Sequence, residues 1–408
     1  MLNILKIAIA APLHHYFDYL APTDFPLNQL KKGLRVLVPF GKQEKVGFLM
    51  ELSTTSERPL SQLRTAIAIL DKVPLLPDSI QRLLEWTSRY YHCPLGEVFA
   101  NALPNSLRVG KDFKNSLKKS PKIHAAKINS KKIVINTTTD GALAKIIQLN
   151  THQQQAIATI INSLGKFQAF LLNGVTGSGK TEVYLEAIQA VLDRGEQALV
   201  LVPEIGLTPQ MLERFQARFS VPLLLFHSRL TEKQRLEHWL LSKTGAASII
   251  IGTRSALFTP LLRPGIIIVD EEHDSSFKQQ NGLRYHARDL ALVRGRLENI
   301  PVILGSATAS LESVFNARQK RYQMLHLPER AGNALQPSFH FVDLRQQKLE
   351  QGFAPVLLQT MQKHLQNQGQ VLLFLNRRGF SPVTICHDCG WTADCQRCER
   401  KMTYNKKP

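Results

Sequence analysis

A chain of 408 residues is long enough for two or three domains, each with a core of its own. Apolar residues make up 44% and aromatic residues 7%, ordinary for a globular chain, and no apolar run approaches the roughly 18 residues needed to span a bilayer. Lys and Arg number 51 against 32 Asp and Glu, a formal charge of +19; such a surplus suits a polyanion, because each neutralised phosphate releases condensed counterions.

The segment Met1–Ala11 is mildly apolar with Lys6 in its middle. It is shorter in apolar run than the roughly 7 to 15 residues of a signal sequence, and reads as the first β-strand of a cytoplasmic protein. Lys31-Lys32-Gly33 makes a turn into a strand at Leu34–Pro39, and Gly41-Lys42 a second turn into Val46–Leu52. Residues 1–105 therefore read as a small β-rich domain that closes on a helix over Pro77–Tyr91. Residues 106–149 turn basic, with Lys111, Lys114, Lys118, Lys119, Lys122, Lys127, Lys131 and Lys132. A flexible linker and a small DNA-contacting domain both remain open for this stretch.

From about residue 150 the pattern changes. The runs Phe170–Leu172, Ala198–Val202, Leu223–Phe226, Ile249–Ile251, Ile266–Val269 and Val302–Leu304 alternate with helical segments. Parallel strands covered on both faces have this composition, so residues 150–334 are expected to form an α/β lobe around a parallel sheet. A second lobe begins near residue 335, with Val371–Leu375 as a strand, and is incomplete at residue 408.

Gly174-Val175-Thr176-Gly177-Ser178-Gly179-Lys180-Thr181 follows a strand and opens a helix, the context a phosphate loop requires. Its glycines let backbone N–H groups converge on phosphate at a helix N-terminus. Lys180 is placed to reach the β- and γ-phosphates of ATP, and the Thr181 hydroxyl to ligate Mg²⁺. About 90 residues later (270 − 180) the strand Ile266–Val269 delivers Asp270 and Glu271. Asp270 is assigned to the Mg²⁺ shell and Glu271 to the attacking water.

Other phosphate-loop ATPases share these elements; three further segments narrow the class. Pro203–Gln210, with Thr208, follows the second strand; Gly252-Thr253-Arg254-Ser255-Ala256 follows the fourth; Gly305-Ser306-Ala307-Thr308 follows Val302–Leu304. All three fall at strand C-termini, on the nucleotide's edge of the sheet, and their glycines, hydroxyls and Arg254 suit sugar-phosphate. Ser306 and Thr308 sit where a segment can relay the state of the γ-phosphate to the track. Together they point to a RecA-like lobe of a superfamily 2 helicase, and Gln153 falls where helicases place a glutamine on the adenine edge.

These motifs resemble the PriA family of replication-restart helicases (primosomal protein N′). The resemblance rests on Gly174–Tyr184, Val202–Gln210, Ile251–Pro260, Asp270–Asp274, Arg284–Asp289 and Phe374–Gly379, and covers residues 1–105 and 150–408. It implies a monomeric 3′-to-5′ DNA helicase that recognises abandoned forks and initiates primosome assembly. Its implied partners are branched DNA, single-stranded-DNA-binding protein, other primosome proteins and the loader of the replicative helicase. Ser276–Arg288 resembles the family's aromatic-rich loop, with Phe277 and Tyr285 stacking on bases and Lys278, Arg284 and Arg288 holding phosphate; a structural hairpin with packed aromatics is the plainer alternative. Phe17 and Asp18, with Gly41 in the turn, resemble the family's pocket for a DNA 3′ end, where Phe17 stacks on the terminal base, Asp18 accepts from the 3′-hydroxyl and Arg64 stands for a basic residue. Asn376, Arg377 and Arg378 are the matching coupling residues of the second lobe.

Four of the five cysteines form two pairs, Cys386-x-x-Cys389 and Cys395-x-x-Cys398. Each pair supplies half of a tetrahedral Zn²⁺ shell, but residues 390–394 are too few for the pairs to fold onto one ion. The resemblance implies two zinc ions, each completed by a later pair. Residues 106–149 are short for the winged helix that the family carries there, and the second lobe that supplies an arginine finger is only begun. ATP binding with reduced turnover is therefore expected, with a non-motor fragment that binds fork DNA and ATP as the alternative. Cys93 reads as a small buried hydrophobe.

Overall fold

The computed structural model describes residues 4–23, 25–109, 149–206, 208–330, 338–344, 348–350, 352–374, 391–394 and 402. Residues 1–335 form one compact unit and 336–408 another.

The first unit opens with five antiparallel strands, β1 Ile4–Ile9, β2 Phe17–Leu20, β3 Arg35–Phe40, β4 Gln43–Ser53 and β5 Ala68–Ile69, in the order β2-β1-β4-β3-β5. Phe40 pairs with Gln43, so Gly41-Lys42 is a two-residue hairpin turn, and Gly41 supplies its left-handed φ of 60°. Leu20 exchanges backbone hydrogen bonds with Arg64 and Ala66 at 3.0 and 2.9 Å. That segment leads into β5, so the outer strands are tied and the sheet curls around Leu5, Ile7, Tyr19, Val36, Val38 and Leu49.

The opposite face of the same strands, Ala8, Phe48 and Met50, packs on α1 Asp78–Tyr90 and α2 Leu95–Asn101. A bulge between Lys6 and Ile7 sets the register against β4. Gly96 lets α2 lie on the backbone of Ile9, which any Cβ there would strike. A short helix, α3 Asn105–Arg108, closes this part. Arg35, fully buried, forks onto Asp71 at 2.9 and 2.7 Å and donates to Leu107 O at 2.7 Å, tying strand, connection and helix together.

Seven parallel strands follow: β6 Ala169–Gly174, β7 Gln197–Leu201, β8 Leu223–Phe226, β9 Ile249–Gly252, β10 Pro264–Asp270, β11 Val302–Ser306 and β12 Gln323–Leu327, ordered β12-β6-β11-β10-β7-β9-β8. Successive side chains of β10 serve opposite faces. Ile266 and Ile268 join α4 Thr151–Ile161, α5 Lys180–Asp193 and α6 Pro209–Arg218; Ile267 and Val269 join α7 Glu232–Lys243 and α8 Ala287–Glu298. All six expected strands are present. The seventh, β12, alternates exposed Gln323 and His326 with buried Leu325 and Leu327, as an edge strand does. After β11, α9 Leu311–Arg318 is capped by Ser310, whose hydroxyl accepts from Ser313 N.

The two parts of this unit meet directly. Helix α1 packs on α8, Ser79 Oγ donates to Glu298 Oε1 at 3.2 Å, and the Tyr91 hydroxyl accepts from His286 N at 3.1 Å. Among the described residues no helix is long and apolar enough to cross a membrane.

The second unit contains α10 Pro355–Gln366, which has no buried residue. The strand expected at Val371–Leu375 is not formed over 371–374, where Leu372 and Phe374 are 93% and 82% exposed. A strand needs at least one paired neighbour and an apolar face covered, and no described residue of this unit pairs with 371–374.

Candidate functional site

At the C-terminal edge of the parallel sheet, β6 ends on Gly174 and the chain loops through Val175, Thr176, Gly177, Ser178 and Gly179 into α5. Gly177 and Gly179 both have φ of 79°, a conformation that costs glycine least. Gly174 has no room for a Cβ, because Ser178 Oγ and the Lys180 stem fill that space. The loop is anchored from behind by Val175 N to Leu327 O at 3.2 Å, so the unexpected β12 braces it. Lys180 Nζ donates to Gly174 O at 3.1 Å, and Thr181 is half-buried in the first helical turn. Ser178 Oγ is buried with no protein partner, a polar atom aimed into the loop.

Gln153 is 2% exposed. Its Oε1 accepts from Asn150 N at 2.9 Å in a capping box, and its Nε2 donates to Ser178 O at 2.9 Å. The expected contact with an adenine edge is thus corrected: the amide is spent on capping α4 and holding the phosphate loop from inside.

Asp270 ends β10, in register with Gly305 of β11. Its Oδ1 accepts from the buried Tyr184 hydroxyl at 2.9 Å. Burial pushes its carboxyl above the ordinary range, opposed by that hydrogen bond and by Lys180. Glu271 is raised by burial and then by the charge of Asp270, and its φ of 48° is left-handed, a strained backbone for a residue other than glycine. Two crowded carboxylates facing a helix N-terminus with a free hydroxyl and a lysine form a donor set that fits a divalent cation and a polyphosphate together.

The next two residues complete a network that sequence reasoning missed. Glu272, fully buried, accepts from Ser310 N at 2.7 Å, Ser310 Oγ at 3.0 Å, Ser313 Oγ at 2.9 Å and Arg288 Nη1 at 3.2 Å. His273 Nδ1 lies 2.8 Å from Ser306 Oγ and 3.6 Å from Glu271 Oε2, and its Nε2 is 3.4 Å from Thr308 Oγ1. The acidic pair is thereby joined to Ser306 and Thr308 through one imidazole. The signal available in sequence was only that Glu272 and His273 adjoin Glu271.

The hairpin after this segment closes on a Lys278–His286 bridge. Phe277 and Tyr285 are core residues, 0% and 3% exposed, with Tyr285 edge-on to Phe258. The expected stacking of these two rings on bases is corrected: neither offers a free face. Arg288 is likewise not free for phosphate, being held by Glu272, Asp289 and Ser310 Oγ. Lys278 donates to Arg284 O and sits 5.2 Å over the Tyr91 ring, while the Arg284 side chain is exposed. Arg254 grips the hairpin neck through Ser276 O at 2.8 Å and Lys278 O at 3.1 Å. Thr208 is exposed and caps α6.

Tyr91 contacts both residues of that closing pair from the β-rich part, and burial pushes its phenol up to about 12, so it stays a neutral hydroxyl.

The β-rich part carries a cleft of about 970 Å³ lined by Phe17, Asp18, Gly41 and Arg64, the four residues expected there, with Phe40 and Ser56 among the others. The Phe17 ring is fixed by Phe40, edge-on at 5.1 Å, and by His15 at 4.7 Å. Asp18 Oδ2 accepts from Ser56 Oγ at 2.6 Å, and Arg64 Nη1 reaches Gly41 O at 3.4 Å. Asn376, Arg377, Arg378, Cys386, Cys389, Cys395 and Cys398 lie outside the described residues. Cys93 is buried, as expected.

Residues 6–104 match the 3′DNA-binding domain model of the PriA family, and residues 150–317 match the DEAD/DEAH box helicase model. The Replication restart protein PriA of Haemophilus influenzae is 40% identical over 99% of this chain and 63% of its own length. Those of Rickettsia felis and Treponema pallidum are 34% and 33% identical, each over 99% of this chain and 58% of theirs. The chain spans about three-fifths of the length of these curated relatives. With the β-rich part, the phosphate loop and the acidic pair all inside a match that runs over 99% of its residues, the chain belongs to the replication restart protein PriA family.

Proposed function

We propose that this chain carries the DNA-end-binding and ATP-binding parts of a 3′-to-5′ DNA helicase that recognises stalled or abandoned replication forks and initiates primosome assembly. One observation carries the reading: short hydrogen bonds join the acidic segment, the hairpin neck and the Gly252–Ala256 loop. Asp274 N donates to Glu271 O, Ser276 N to Asp274 Oδ1 and Arg254 Nη1 to Ser276 O, while His273 ties the same segment to Ser306. A phosphate-loop enzyme acting on a small molecule has no need of such wiring; a motor that reads a polynucleotide does.

In this reading Lys180, the loop N–H groups and Ser178 hold the phosphates of ATP, and Thr181 and Asp270 hold Mg²⁺. When bound, the cation neutralises charge that develops on the transferred phosphoryl group. Glu271 orients the attacking water and accepts its proton. His273 passes a change at Glu271 to Ser306 and Thr308, and Asp274 and Arg254 pass it to the hairpin neck, whose Arg284, with Thr208, faces sugar-phosphate.

Residues 1–105 act as the end-binding domain, 106–149 as a linker or shortened winged helix, 150–334 as the motor lobe and 335–408 as the start of a second lobe. Asn376, Arg377 and Arg378 extend the coupling there, and the cysteine pairs contribute half-shells for Zn²⁺. Single-stranded-DNA-binding protein, other primosome proteins and the helicase loader are the protein partners of a monomer working in the cytoplasm.

The reading is tested at the end-binding cleft. Asp18→Ala removes an acceptor for a 3′-hydroxyl while Phe17 keeps its aromatic supports. The preference for a fork with a free 3′-hydroxyl over one ending in 3′-phosphate should fall by roughly ten-fold, the effect of one charged hydrogen bond. An unchanged preference, measured by fluorescence anisotropy, would show that Asp18 does not read the 3′ end.

A further inference from the structure

Tyr184 lies one helical turn after Lys180, on the face of α5 that packs against the sheet, and is 2% exposed. A buried phenol hydroxyl needs a hydrogen-bond partner to which it can donate. The atom it meets is Asp270 Oδ1, at 2.9 Å. The hydroxyl also fills the space beside Gly305, the residue of β11 in register with Asp270; a Cβ at 305 would collide with it. The phenol is thus wedged among the helix that follows the phosphate loop, the strand that delivers the acidic pair, and the first residue of Gly305–Thr308.

We propose that Tyr184 is a positioning residue for the cation site. By occupying Oδ1 it fixes the rotamer of the Asp270 carboxylate and leaves Oδ2 turned to the Mg²⁺ shell. Gly305 is glycine because the phenol needs its place. The inference rests on the reading of Asp270 as a magnesium-shell residue. A carboxylate that holds a metal directly or through water depends on an outer partner for its orientation, and losing that partner typically lowers metal affinity 10- to 100-fold, roughly. A core tyrosine with no such role would satisfy its hydroxyl and leave the cation requirement untouched.

The test uses the full chain and a fluorescent ATP analogue, titrated with Mg²⁺ from an EDTA baseline. Tyr184→Phe keeps the ring and its packing. It should bind the analogue in EDTA as the parent does, yet need at least about ten-fold more Mg²⁺ to reach half of the magnesium-dependent gain. Gly305→Ala, which retains the hydroxyl and displaces it, is the second variant and should shift the midpoint the same way. A folded variant of either kind with the parent's midpoint would overturn the role of Tyr184. A parent chain with no magnesium-dependent gain would instead overturn the reading of Asp270, so the two failures are distinct.

Discussion

Lys180→Ala is expected to weaken nucleotide binding by roughly 100-fold, about 2.7 kcal/mol, because one charge-assisted contact to phosphate disappears at the loop. Binding of forked DNA with a free 3′ end should not change. The two outcomes follow from separation: Lys180 contacts its own loop through Gly174 O, while the end-binding cleft lies on a different sheet and is lined by Phe17, Asp18, Gly41 and Arg64. Calorimetric titration with nucleotide and anisotropy with fork DNA read the two sites independently. Loss of fork binding in a folded Lys180→Ala chain would mean that the sites are one.

The second large effect concerns stability. Arg35 and Asp71 have side chains 0% and 3% exposed and are joined by two short hydrogen bonds, with Asp71 also accepting from Arg35 N at 3.1 Å. Asp71→Ala takes from a buried guanidinium the carboxylate onto which it forks. The cost for breaking such a pair from one side is about 3–5 kcal/mol. In a large domain that lowers the melting temperature by roughly 6 to 20 °C. The comparison is Arg194→Ala, which breaks the partly exposed pair with Glu196 and should cost less than about 1 kcal/mol. Equal melting temperatures for the two variants, by differential scanning calorimetry, would contradict the weight given to the Arg35–Asp71 fork.

Much of this was legible in the sequence because it depends on composition over a window. Runs such as Ile266–Val269 are buried on both faces, and no solvent-facing residue interrupts them, so the parallel strands announce themselves. The helix at Pro77–Tyr91 was found at Asp78–Tyr90 for the complementary reason, an apolar stripe at helical spacing behind a proline start. Strand β12 escaped because an edge strand covers only one face, and Gln323 and His326 dilute its signal. The run over 371–374 failed in the opposite sense: its composition suits a strand, but pairing is a property of neighbours.

At the site, residue type was readable and burial was not. Gln153, Phe277, Tyr285 and Arg288 each carry the chemistry assigned to them, yet each spends it inside the protein, on the phosphate loop, the hairpin core or Glu272. Tyr91, Tyr184, Glu272 and His273 were passed over because their meaning lies in contacts across 33 to 195 positions of sequence. Only the i, i+4 spacing of Lys180 and Tyr184 hinted that both face the same sheet edge.

The proposed function requires communication between nucleotide and polynucleotide. The contacts available for it run from Glu271 through His273 to Ser306, and from Glu271 O through Asp274 to Ser276 of a hairpin neck that Arg254 grips and Tyr91 touches. The direct measurement is the affinity of the full chain for a magnesium–ATP analogue, with and without saturating fork DNA that ends in a free 3′-hydroxyl. The network predicts that the fork changes nucleotide affinity by at least about five-fold and that the nucleotide changes fork affinity by the same factor, as linkage requires. A chain that binds both ligands, each with an affinity indifferent to the other, would contradict it.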